Sequence, residues 1–325
     1  MIYYNNNLEI TTCPYAFLLL DKEINSLNKK AAVMSLVEYQ NFSGSTDTVD
    51  LLFLHEWSGW AKIPSNLPAN AVVFYYDYNY LNVIDTNIFY YPQWLFYVAN
   101  IENTNFITPD YLFSCACRNF NNGRPGKIYN YQMLKKKLYF DKILFTKFKS
   151  IEPFELHALP EMRDSNFKLI VDDFLLDYAN WQKMNSSELD LVTSMSILDL
   201  DVYKKSLFHI IAETATYQSS LSEKTFKVFA AGQIPIMCGP QYAIKHLRKL
   251  GFDVFDDIID HSYDNILDWK NRIDAMHKSL DKLAELDLNI LLPQTHNRRI
   301  KNQQYLKSKN LHKMLLDSII KRLFR

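Results

Sequence analysis

Glycine is scarce in this chain, 7 among 325 residues. That scarcity argues against a repeat-rich or loop-dominated fold, and no self-similarity at a period of roughly 20 to 50 residues is detectable. Cysteine is rarer still. Cys13, Cys115, Cys117 and Cys238 lie mostly inside apolar runs, and no Cys-x-x-Cys or Cys/His spacing suggests a zinc site. The simplest reading is a reduced, cytoplasmic protein, in the host cytoplasm if the source is viral. Net charge is absent too: 36 Lys and Arg balance 36 Asp and Glu, so any nucleic-acid or membrane contact must come from a local patch. No uninterrupted apolar run approaches a membrane span. The opening Met1-Ile2-Tyr3-Tyr4-Asn5-Asn6-Asn7 has neither the basic nor the apolar region of a signal peptide.

What is present is an ordinary globular composition, 48% hydrophobic and 22% charged, able to fill substantial cores. The length exceeds one average domain, which favours two domains over one large α/β unit. Abundant Asn, Lys, Ile, Tyr and Phe fit an AT-rich coding genome, viral or low-GC bacterial. In the first hundred residues, short aromatic and aliphatic runs alternate with polar breaks: Ala31-Leu36, Val49-Leu54, Ala71-Tyr76 and Ile88-Tyr91 read as strands. The second is followed by His55 and Glu56, the third by Asp77, so ionisable residues stand at strand carboxyl ends. In open α/β sheets ligands bind at that end. Polar residues also simply mark where strands leave the core.

From Tyr111 onward, strands alternate with helices. Strands are expected at Tyr111-Cys117, Lys142-Phe145, Phe208-Ala212 and Ile234-Cys238, and helices near 126–138, 223–231 and 240–250. That order implies a parallel, doubly wound sheet. The stretch between Phe145 and Phe208 shows no single pattern. Helical spacing returns at Asn265-Glu285 and Asn310-Phe324. The expected division is 1–108, 109–290 and a basic helical segment 291–325. That last segment holds Arg298, Arg299, Lys301, Lys307, Lys309, Lys313, Lys321, Arg322 and Arg325 against Asp317 alone. A second basic run, Lys135-Lys136-Lys137 with Lys142, Lys147 and Lys149, is interleaved with Tyr139, Phe140, Phe145 and Phe148. Such runs are usually solvated helix faces; aligned on one face they form a phosphate track.

The segment with the most chemistry is Ser222-Glu223-Lys224-Thr225-Phe226-Lys227-Val228-Phe229-Ala230-Ala231-Gly232-Gln233-Ile234-Pro235. Ser222 is an N-cap, Glu223 suits the first turn, Phe226, Phe229 and Ala230 share a face, and Gly232 can take the positive φ that ends a helix. Free N–H groups at the helix start favour phosphate, Lys224 adds a point charge, and Glu223 can accept from two ribose hydroxyls.

This segment resembles the donor-binding motif of the fucosyltransferase-like glycosyltransferases, in particular their viral and bacteriophage branch. The motif is Ser/Thr-Glu-Lys-Thr/Leu, an aromatic residue, Lys, then an Ala-Gly-x-x-Pro turn. Upstream, Ser206-Leu207-Phe208-His209-Ile210-Ile211-Ala212-Glu213-Thr214 is similar to the strand preceding that motif, and Asn122-Gly123-Arg124-Pro125-Gly126-Lys127 to the family's basic turn after its first nucleotide-domain strand. The resemblance covers roughly residues 111–285. It implies a GT-B architecture, two Rossmann-like α/β domains facing across a cleft with C-terminal helices. The N-terminal domain would lie on the acceptor side and the second domain would hold a nucleotide-sugar donor. By position, Glu223 would bind the ribose and Lys224 the pyrophosphate, with Ser222 and Thr225 completing the motif. Arg124 or Lys127 would stabilise the leaving diphosphate, and Glu213 with Thr214 would line the donor pocket. Glu213-Thr214 replaces the Glu-Asn of the cellular enzymes, which leaves the sugar open and points to the viral-type branch.

No metal is required by such a scheme, because cations and a helix N-terminus can take the charge that develops on the departing phosphate. Asp199-Leu200-Asp201 has the spacing of a divalent-ion pair, but two carboxylates at that spacing arise readily by chance. An inverting transfer also needs a base on the acceptor hydroxyl. The order of preference is Asp77, then Glu56, then His55; a retaining transfer needs none of them. The acceptor could be a hydroxymethylated base in duplex DNA, held along the basic runs, or a bacterial surface polysaccharide, lipopolysaccharide or other glycan. A nucleotide-binding protein without turnover is the remaining alternative.

Overall fold

The computed structural model describes residues 2–3, 31–35, 51–56, 71–75, 88–90, 108–116, 125–145, 163–184, 205–213 and 219–308, and single positions between and after them. Two compact units make up the chain: Met1–Tyr97 with Ser308–Arg325, and Val98–Lys307.

The first unit carries five strands, β1 (Ile2–Tyr3), β2 (Ala31–Ser35), β3 (Leu51–Glu56), β4 (Ala71–Tyr75) and β5 (Ile88–Tyr90). They pair in sequence order, β1 antiparallel to β2 and the others parallel. β3 does not stop at Leu54 as the apolar run suggested. It continues through His55 and Glu56, and Glu56 stands in register with Tyr75. Backbone pairing to β4 prolongs the strand past the last apolar side chain. Ala71, Val72 and Val73 are buried, as expected for a parallel strand covered on both faces.

The second unit holds β6 (Tyr111–Cys115), α1 (Pro125–Lys135), β7 (Ile143–Phe145), α2 (Ser165–Met184), β8 (Ser206–Ala212), α3 (Glu223–Ala230), β9 (Ile234–Cys238), α4 (Ala243–Lys249), α5 (Trp269–Ala284) and α6 (Leu288–Lys307). Its sheet is wholly parallel, in the order β7-β6-β8-β9. Every residue of β8 and β9 is buried. β6 has β7 on one side and β8 on the other, so successive crossovers leave it in opposite directions. The carboxyl ends of β6 and β8 therefore flank a topological switch point, where doubly wound sheets bind ligands.

One helix in this unit was not foreseen, and another crosses an expected division. α2 occupies the stretch that showed no single pattern, with Phe167, Val171 and Phe174 buried at helical spacing and Asp164 accepting from the Asn166 amide at 2.9 Å. α6 spans the expected division at 290 and joins the second unit through Lys307. Its buried set includes Thr295, Arg299, Asn302 and Gln303, so it packs by hydrogen bonds as much as by apolar contact. Arg299 Nη1 donates to Gly232 O at 3.1 Å and Gln303 Nε2 to Ala230 O at 2.7 Å. Asn302 accepts from the Asp253 amide and donates to its carbonyl.

Gly251 sits where α6 passes the end of α4. Its φ is +92°, and a Cβ there would lie 2.5 Å from Tyr305 Oη and 2.9 Å from Cζ. The phenol is itself held by the Leu250 carbonyl at 2.8 Å, so it has little room to retreat. Gly251→Ala is expected to destabilise the protein by roughly 2–3 kcal/mol, read as a lower urea midpoint at unchanged slope; an unchanged midpoint would exclude the clash.

Candidate functional site

The site is built around the start of α3. Ser222 is its N-cap, with φ −88° and ψ 178°, and its hydroxyl accepts from the Lys224 amide. At the other end, Gly232 takes φ +68°; its N–H donates to Phe229 O and that of Gln233 to Val228 O, the paired bonds of a Schellman stop. Phe226 and Phe229 are fully buried, and Phe229 stacks on Phe252 at 4.2 Å between centroids. Apolar packing thus seats one side of the helix while its first turn reaches the carboxyl end of the sheet.

Glu213, the residue after β8, fastens that turn. It is buried, its amide donates to Cys238 O at 2.9 Å, and its Oε1 accepts from the Ser222 amide at 2.9 Å and Thr225 Oγ1 at 2.5 Å. One residue therefore joins β8, β9 and the α3 N-terminus, the amide holding β9 and the carboxylate the helix start. Gly239 lies against it, since a Cβ there would be 3.2 Å from Glu213 Cγ.

Glu223 and Lys224 close on each other. Lys224 Nζ donates to Glu223 Oε1 at 2.9 Å and to Ser222 Oγ at 3.3 Å. Burial pushes the Glu223 carboxyl up, but the charge and hydrogen bond of Lys224, with the lesser help of Lys227, hold it below the usual glutamate value. It is an anion at neutral pH, in place to accept from hydroxyl groups. Lys224 keeps part of its side chain exposed, 21% against 15% for Glu223. An arriving anion can therefore engage the ammonium from solvent.

Two further residues belong to this corner. Lys227, one turn along α3, is only 5% exposed and lies 5.7 Å from the centroid of the Tyr203 ring. Tyr203 is buried and stacks on His209 of β8 at 4.9 Å. Burial, followed by the charge of Glu223 and lesser effects of Cys115 and Glu213, pushes the Tyr203 phenol far up; it stays neutral. Beneath it, Ser114 Oγ lies 2.8 Å from His209 Nδ1 and 2.6 Å from Ser206 Oγ, and Gln233 Nε2 donates to Ser206 Oγ at 2.6 Å. This polar cluster fixes β6, β8 and β9 in register under the site. Nothing in the sequence marked Tyr203. Lys227 carried a signal, a cation among Thr225, Phe226, Val228 and Phe229 on a face that is otherwise buried.

Of the other residues singled out in the sequence, Lys127 stands buried in the first turn of α1, directly after Pro125 and Gly126. Asp77, Arg124, Thr214, Asp199 and Asp201 lie outside the described residues. Glu56 ends β3 in the first unit. Several cations of the basic runs are engaged within the molecule. Lys135 bonds Asp177, Lys137 Nζ lies 2.7 Å from Asp281, and Arg298 bridges Asp253 and Asp257 with four hydrogen bonds of 2.6–2.9 Å. Those partners, Asp253 first, push the Arg298 guanidinium further up.

No family model matches the chain, and no curated protein matches it. Among solved structures it is similar to one titled "OtsA apo structure", with a TM-score of 0.44 and 12% identity over 94% of this chain and 76% of that one. No helix among the described residues is long and apolar enough to cross a membrane.

Proposed function

We propose that this chain is a glycosyltransferase of the GT-B type, moving a sugar from a nucleotide-sugar donor to an acceptor hydroxyl, with Val98–Lys307 as the donor-binding unit. The observation that carries the reading is the Glu223–Lys224 pair on the first turn of α3, at the carboxyl end of the parallel sheet. When the donor enters, the pair opens: Glu223 accepts from the ribose hydroxyls and Lys224 meets the diphosphate. As the glycosidic bond to phosphate breaks, negative charge grows on the leaving oxygen. Lys224 and the positive end of the α3 dipole stabilise that charge where it forms, the role a divalent ion fills in other glycosyltransferases. Ser222 through its amide and Thr225 through its hydroxyl hold the turn against Glu213, and Arg124, or Lys127 in the first turn of α1, stabilises the leaving diphosphate. Asp77 or Glu56 serves as base for an inverting transfer. The fucosyltransferase-like, viral-type character of the motif belongs to the same proposal.

For the acceptor, we favour a glycan over duplex DNA. Lys135, Lys137 and Arg298 are each matched to a carboxylate, which removes much of the counterion release that drives binding to a phosphate backbone. Salt-sensitive DNA binding that falls when Lys135, Lys136 and Lys137 are neutralised would reverse that preference.

Titration calorimetry with a panel of nucleotide sugars, paired with chromatography of the released nucleotide, tests the donor reading. At least one donor is expected to bind, and Glu223→Ala to weaken it roughly 10- to 100-fold, the worth of hydrogen bonds to a charged group. A folded protein that binds no nucleotide sugar would sink the proposal; binding without turnover toward any acceptor would leave a nucleotide-binding protein.

A further inference from the structure

Lys227 is an unusual residue to find on the packed side of a short helix. An ammonium withdrawn from water is costly unless something accepts its three hydrogens. Lys227 is 5% exposed, and the neighbours of its Nζ are a ring face and charges rather than a paired carboxylate. Around it stand the Tyr203 ring, the Glu223 carboxylate and the Lys224 ammonium. From the other elements packed on α3, β8 presents His209 behind the Tyr203 ring. α6 contributes Arg299 at the far end, bonded to Gly232 O. A methionine of similar length would fill the space without the penalty, so the charge calls for a partner that arrives from outside.

We propose that Lys227 is a second phosphate ligand of the site, taking one phosphate of the donor's diphosphate while Lys224 takes the other. The assignment rests on the nucleotide-sugar reading for the identity of the anion. The geometry suits it: Glu223, Lys224 and Lys227 all stand on the first five residues of α3. Glu223 therefore sits beside both ammoniums, and the ribose it accepts adjoins the phosphates they hold. The positive end of the α3 dipole favours the same anion. Burial brings the Lys227 ammonium down to about 8, the attraction of Glu223 opposing and the repulsion of Lys224 adding to the shift. A bound diphosphate raises it again, so Lys227 is charged in the complex and part-neutral in the empty site just above neutral pH.

The probe is inorganic pyrophosphate, measured by calorimetry between pH 6.5 and 9.5 beside a nucleotide sugar. Wild-type affinity is expected to fall as the pH passes 8. Lys227→Met should bind pyrophosphate roughly 10- to 100-fold more weakly at pH 7 and show no inflection near 8. Lys227→Arg should recover part of the affinity and also lack the inflection. Wild-type affinity in Lys227→Met, or an inflection near 8 that survives the substitution, overturns the assignment; thermal melts of both variants establish that they are folded. The two readings fail separately. Pyrophosphate binding that needs Lys227, with no nucleotide sugar bound, sinks the donor reading alone. Nucleotide-sugar binding indifferent to Lys227 sinks this assignment alone, and loss of both ligands in the wild type sinks the two together.

Discussion

Acidification from pH 6 to pH 4 is expected to remove roughly 5 kcal/mol of stability, at about 1.4 kcal/mol per pH unit for each of two buried histidines. His246 on α4 and His277 on α5 are 3% and 1% exposed. Burial brings each imidazole down to about 3 from the ordinary 6.5, with Lys249 adding to the shift at His246 and Lys137 at His277. In the unfolded chain both take a proton near pH 6.5; in the native protein neither does until about pH 3. The unfolded state therefore binds more protons throughout that window, and stability present above it drains away as the pH falls. The lowered carboxylates Asp256, Asp257 and Asp260 act in a separate window, since their contribution begins to fade only near the ordinary aspartate value of 3.8. Urea unfolding at half-unit pH steps reads the slope. His277 Nε2 lies 3.0 Å from Asn130 Oδ1, whereas His277 Nδ1 and Asn130 Nδ2 have no partner among the described residues. Replacing both, Asn130→Leu with His277→Leu, should thus leave a folded protein with half the slope. A stability that is flat from pH 6 to pH 4 would falsify the neutral burial of both rings.

Glu213→Ala is expected to be comparably damaging, at roughly 2–6 kcal/mol, because two donors lose their acceptor at about 1–3 kcal/mol each. The Ser222 amide and the buried Thr225 hydroxyl both point at Glu213 Oε1, and no solvent reaches Thr225 to replace it. Thr225→Val removes one of those bonds with little change of shape and should cost nearer 1 kcal/mol. Denaturant midpoints of the two variants separate the cases. Equal, small effects would mean that the carboxylate is not the clamp on the helix start.

Much of this corner could be read in advance, for reasons that differ by residue. Ile234–Cys238 and Ser206–Ala212 are strands whose apolar runs are interrupted by little else, because both faces of a parallel sheet are covered. α3 announced itself through Ser222 and Gly232, local signals that depend on nothing distant. What stayed hidden depended on partners remote in the chain. α6 was expected as helix, but its seating was not, because most of its buried side chains are polar and close the open ends of other elements, and it carries Pro293 inside it. Tyr203 stands alone between residues of no clear pattern, and its importance comes entirely from the ring of His209 and the ammonium of Lys227. Glu213 was singled out as a pocket residue, and the structure adds that its carboxylate is a brace for the α3 turn.

The way α3 is terminated has a consequence for the order in which the molecule can be made. The carbonyl of Ala230, its last residue, and that of Gly232, just past its end, are received by Gln303 and Arg299, which lie 73 and 67 residues further along. A chain emerging from the ribosome displays the first turn of α3 long before those two side chains exist. Until they arrive, those two carbonyls face water while the local Schellman bonds alone close the helix end, and closing so long a loop is among the slower steps of folding. That first turn can be assembled early, but the far end of α3 is fastened to α6 only after synthesis has passed residue 303.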